Sequence, residues 1–84
     1  MTNIEALFQC QRILRKIKDS FPHYDHVADH VVGAFEITST LDIDLVRHIL
    51  NTDNELKDCK YLIGQKMNHL KPKLVHTLVT VNYE

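Results

Sequence analysis

The sequence predicts an all-α fold, a compact bundle of four to five short helices forming a single domain over residues 1–84. Three observations lead there. Apolar side chains recur at helical spacing in four successive stretches, and turn or cap residues at Pro22, Ser39, Thr52 and Pro72 separate them. Two glycines and two prolines are also too few for a loop-rich or disordered chain. Eighty-four residues support one core, since two units would each be too small to bury enough surface.

The first helix is the clearest element. Thr2 or Asn3 supplies a cap, and Glu5 stands in the first turn, where the macrodipole favours an anion. Leu7, Cys10, Leu14, Ile17 and Phe21 alternate steps of three and four and share one face, and Pro22 ends the run. Adding Ile4, Phe8 and Ile13 widens the apolar arc to roughly 220° at about 100° per residue. Such a helix is central, or faces both a core and a partner.

A second helix is expected from Tyr24, Ala28, Val31 and Phe35, weakened by Gly33 and fraying near Ile37 and Thr38. Ser39 and Asp42 have capping-box spacing ahead of a short third helix carrying Leu41, Leu45, Val46, Ile49 and Leu50. Thr52 and Glu55 repeat that spacing ahead of a fourth, with Leu56, Cys59, Ile63, Met67 and Leu70 as its seam and Pro72 as its break. From Lys73 two periods overlap. Leu74, Val75, Leu78 and Val79 fit a short helix, the favoured reading, whereas Val75, Thr77, Val79 and Val81 alternate as an extended segment. Inside a helical monomer a lone strand has no ladder partner and would have to pair with another chain.

The net charge of -1 hides an asymmetry: +2 over residues 1–22, -5 over 23–53 and +2 over 54–84. Phosphate backbones select a general basic excess, which is missing. No apolar run is long enough to span a bilayer and no export signal is visible, so a cytoplasmic location is expected. Cys10 and Cys59 lack metal or disulfide spacing and read as reduced core residues.

Six histidines in 84 residues are many, and His23, His26 and His30 would share a helical flank at i, i+3 and i+7. They are the candidate metal ligands, with Asp25 or Asp29 adding an oxygen, and equally a candidate pH sensor. No HExxH glutamate separates them, so solvated or hydrogen-bonded rings are the plainer reading, and neither a metal nor a cofactor is expected. Catalysis has less support still. No nucleophile elbow, phosphate loop or dinucleotide fingerprint is present, and sequence gives no reason to bring Ser20 or Ser39 to a histidine.

What remains is apolar surplus. The expected function is non-enzymatic: a protein–protein interaction module of regulatory, inhibitory or immunity type that binds a partner protein and forms a homodimer. The residues expected at its contact are Arg12, Ile13, Arg15 and Lys16 on the first helix, with Tyr61, Leu62, Val79, Val81 and Tyr83. The alternatives are a small nucleic-acid-binding regulator and a His-based metal-binding or pH-sensing helical module.

Overall fold

A computed structural model describes residues 1–67 and 75–84. The chain is not an all-α bundle. Two helices pack on one face of a four-stranded antiparallel sheet, in the order α1 (Asn3–Ser20), β1 (His26–Val31), β2 (Ala34–Ser39), α2 (Ile43–Thr52), β3 (Leu62–Met67) and β4 (Val75–Asn82). A single 3-10 turn, Asn54–Leu56, follows α2. The strands lie in the order β1-β2-β4-β3, so two hairpins join along β2 and β4, and β1 and β3 form the edges.

The first helix follows its sequence signals. Thr2 Oγ1 accepts from the Glu5 amide at 3.2 Å while the Glu5 carboxylate reaches back to the Thr2 amide, a reciprocal capping box. The Phe21 amide closes the last turn on the Ile17 carbonyl, one residue before Pro22. The third expected helix also forms, as α2, but its cap is Asp42, whose carboxylate accepts from the Asp44 amide at 2.8 Å. Ser39, expected to cap it, is buried in the sheet instead.

The expected second helix is the β1–β2 hairpin. Val31 pairs with Ala34, leaving Val32 and Gly33 as a two-residue loop. Gly33 has φ +75° and Val32 a negative φ, the sign pattern of a type II turn, which needs glycine at its third position. Gly33 therefore marks a chain reversal rather than a weak point in a helix. The expected fourth helix is also absent: the chain makes the 3-10 turn, in which Asp53 rather than Thr52 caps the Glu55 amide, and then strand β3. Leu70 and Pro72 lie outside the described residues. Lys73 and Leu74 also lie outside them; from Val75 the C-terminal stretch is strand, and it pairs within its own chain, on β2 from Ala34↔Asn82 to Ser39↔Thr77 and on β3 from Leu62↔Thr80 to Met67↔Val75.

Between the layers lie Ala6, Cys10, Ile13 and Ile17 of α1, Val46 and Leu50 of α2, Ile37 of β2, and Val79 and Val81 of β4, with Leu41 and Leu56 from the connections. Burying each Val, Leu or Ile contributes about 1.5–3 kcal/mol. That term sets the alternation along β4, where Thr77, Val79 and Val81 are buried and the residues between them are not. α1 lies over β1 and β2, α2 over β4 and β3.

Candidate functional site

Helix α1 carries more apolar surface than its core contact uses. Ala6, Cys10, Ile13 and Ile17 point into the core. At about 100° per residue, Ile4 and Phe8 project from the opposite crest, where they are 61% and 60% exposed. Met1, exposed ahead of the helix, lines a cleft with Tyr61, Leu62, Thr80 and Asn82 beside β3 and β4. Arg12 and Arg15 continue the crest, both exposed, so an apolar end grades into a basic one.

Lys16 is turned away from that crest. Its ammonium lies 2.9 Å from Glu55 Oε2 and 3.3 Å from Asp53 Oδ2, tying α1 to the chain after α2. Those contacts, Glu55 foremost and Asp53 next, raise its pKa above the ordinary lysine value. Farther along the same flank the Lys60 amide donates to Gln9 Oε1 at 3.3 Å.

The expected contact residues therefore do not form one surface. Ile13, Val79 and Val81 are fully buried core residues and are withdrawn from any contact. Arg12 and Arg15 are on the crest, and Lys16 is engaged with Asp53 and Glu55. Tyr61 is half-buried, with its hydroxyl pushed up in pKa by burial and by nearby Cys59. Leu62 is 63% exposed, close to Met1. Tyr83 is half-buried, and its hydroxyl lies 2.6 Å from His30 Nε2. The sequence signal for Ile4 and Phe8 was the excess width of the apolar arc, which pointed to a partner face without saying which residues made it.

The histidines separate once residues 26–31 become strand. Four residues along a strand span roughly 13 Å, against one turn of about 6 Å on a helix, so His26 and His30 no longer present adjacent imidazoles. His30 stacks on Phe35 with ring centroids 4.4 Å apart. His26 is buried between Phe21 and Ser39: Nε2 lies 2.9 Å from the Phe21 carbonyl and Nδ1 2.8 Å from Ser39 Oγ. A carbonyl only accepts, so its partners assign the proton to Nε2, and the Ser39 hydroxyl donates to Nδ1. Ser39 Oγ also accepts from the Leu41 amide at 3.1 Å. Among the described residues no group of three His, Cys, Asp or Glu side chains is placed to hold a metal ion.

This serine–histidine pair is one that sequence alone gave no reason to assemble. Ser39 is buried, its oxygen already bonded on two sides, and the far nitrogen of the ring meets a carbonyl rather than a carboxylate. The arrangement holds the end of α1, the start of β1 and the entry to α2 together, and it gives a substrate no approach to the hydroxyl.

Cys10 is buried, which pushes its thiol pKa up, while half-buried Cys59 lines an open cleft of about 570 Å³ with Leu50, Leu56, Lys57, Lys60 and Tyr61. Away from the helices, strand alternation brings Val27, Thr38, Leu78 and Gly64 into one row of the uncovered sheet face and Asp29, Glu36, Thr80 and Leu62 into the next. These rows carry two acids and none of the Phe, Tyr or Trp rings on which bases stack. No helix among the described residues is long and apolar enough to cross a membrane. No family model, curated protein or solved structure matches this chain.

Proposed function

We propose that this chain is a non-enzymatic binding module that regulates or inhibits a partner protein in the cytosol, and that its contact surface is the outer crest of α1. One observation carries the reading: Ile4 and Phe8 lie side by side in solvent, opposite the stripe that builds the core. Folding does not require them there. Large apolar side chains gathered on an exposed helix face are a feature of helix-in-groove recognition, in which an amphipathic helix lays i and i+4 anchors into an apolar groove. Arg12 and Arg15, one and two turns on, fit an acidic rim at one end of that groove. The two free thiols suit a reducing compartment.

The test compares capture of proteins from the source cell by the native chain, by Phe8→Ser and by Arg12→Glu with Arg15→Glu. Both variants should unfold at nearly the native denaturant midpoint. Phe8→Ser should lose the partner, and the double reversal should lose it more steeply at low salt. Capture of the same partner at undiminished yield by Phe8→Ser would overturn the proposal.

A further inference from the structure

The edge strand β1 leaves one side of its backbone unpaired within the chain. Its register with β2 runs without interruption from His26↔Ser39 to Val31↔Ala34, and of the usual means by which proteins blunt an edge the strand has no lysine, proline or bulge and one charged side chain, Asp29. The opposite edge, β3, has Lys66 within it and Lys60 just before it. On β1 the Thr40 amide donates to the Asp25 carbonyl at 3.1 Å, which makes that pair a hydrogen-bonded one. By alternation Val27, Asp29 and Val31 also bond to β2, and the amides and carbonyls of His26, Ala28 and His30 point out of the sheet.

We infer that two copies of this chain associate through β1, antiparallel about a two-fold axis at Ala28, to give a continuous eight-stranded sheet. Opposed residues must share a face, so Ala28 meets its own counterpart and His26 meets the second copy's His30, the outward-facing backbone groups bonding to one another. Shifting the axis to Asp29 would set two carboxylates directly opposite, which is destabilising.

The Ala28 register also bears on two exposed side chains, Tyr24, whose ring meets Phe21 edge-on, and Val32. Tyr24, 46% exposed, and Val32, 98% exposed at the hairpin tip, each lie four residues from Ala28. Just beyond the two ends of the strand, they are carried by the axis toward each other, Tyr24 of each copy on the side of Val32 of the other. α1 contributes as well. Lys16 and Gln9 fix one flank of the helix toward α2, so the other flank, with half-buried Leu7 and Leu14, faces the β1 edge and its exposed Ala28. The two-fold sets these flanks against each other on the helical side. On the uncovered side Asp25 and Asp29 of both copies gather, so added salt should tighten the dimer.

This inference is independent of the crest of α1, which stays free in the pair, so Phe8→Ser should leave dimerisation unchanged. In sedimentation equilibrium the native chain should dimerise at micromolar to millimolar concentration, more tightly in higher salt, and Ala28→Lys should sediment as a monomer with unaltered thermal unfolding. In a Cys59→Ser background Ala28→Cys should form an intermolecular disulfide on mild oxidation, since Cα atoms of a hydrogen-bonded pair lie about 5.5 Å apart. Asp29→Cys should crosslink far more slowly, its own counterpart lying beyond about 7 Å. A native chain that stays monomeric throughout, an Ala28→Lys variant that remains dimeric, or faster crosslinking at position 29 than at 28 would each overturn the inference.

Discussion

His26 and Ser39 face each other across β1 and β2, with the imidazole Nδ1 2.8 Å from the hydroxyl oxygen, and together they saturate a buried polar row. The row continues to Thr77 on β4, whose hydroxyl donates to the Leu41 carbonyl at 2.6 Å. Ser39 and Thr77 therefore secure both backbone groups of Leu41, the residue that leads the chain off the sheet toward α2.

Ser39→Ala removes the donor to His26 and the acceptor for the Leu41 amide at once. Leaving a buried group unpaired costs about 1–3 kcal/mol, so the variant should lose at least that much stability in urea titration. His26→Phe should lose a similar amount, because the Phe21 carbonyl loses its imidazole donor.

The two glycines should respond differently to alanine. At Gly33 a Cβ would meet φ +75° and would lie 2.8 Å from Glu84 Oε2, so Gly33→Ala should destabilise by about 1–2 kcal/mol. At Gly64 nothing lies within 4 Å of the added Cβ, and Gly64→Ala should be neutral or stabilise by up to about 1 kcal/mol. Thermal unfolding of the two variants side by side reads the contrast.

Thiol labelling should distinguish the cysteines. Cys59, half-buried beside an open cleft, should react with an alkylating reagent in the native state. Cys10 should react only as fast as the domain opens, because burial both shields its thiol and raises its pKa. Mass spectrometry of partly labelled protein should find the first adduct at Cys59.

Ile17 and Phe8 stand on opposite sides of one helix. Ile17→Ala should cost about 2–5 kcal/mol, while Phe8→Ala should stay within about 0.5 kcal/mol of the native chain in the same denaturant series.

Lys16 gives a pH signature. Its folded pKa exceeds its unfolded one, so its contribution is complete below the ordinary lysine value of about 10.4 and is lost as pH rises through the raised value. The melting temperatures of the native chain and Lys16→Met should differ by a constant amount from neutral pH up to that range and converge above it.

Local signals sufficed where an element is stabilised within its own span. The Thr2–Glu5 box, the three-four spacing and the Pro22 stop fix α1, and the apolar pattern after Asp42 fixes α2. They misled where a segment is stabilised by pairing with another strand. Tyr24, Ala28, Val31 and Phe35 have helical spacing by coincidence, because β1 is an edge strand and its exposed positions need not alternate in polarity. The alternation from Val75 to Val81 is visible, yet it has no partner while Tyr24 to Phe35 follow a helical spacing that frays near Ile37 and Thr38. One error sustained the other. The candidate site divided in the same way: excess apolar arc on α1 was legible, whereas the separation of Ile13 from Phe8, and of His26 from His30, was not.

The amino-acid sequence by itself determined α1, α2 and a helix too apolar for one buried face, because those depend on contacts three or four residues apart. The sheet was decided by tertiary structure alone. β2 and β4 meet across some forty residues of chain, and although β4 alternates visibly, nothing within either segment names the distant strand that closes its ladder of hydrogen bonds.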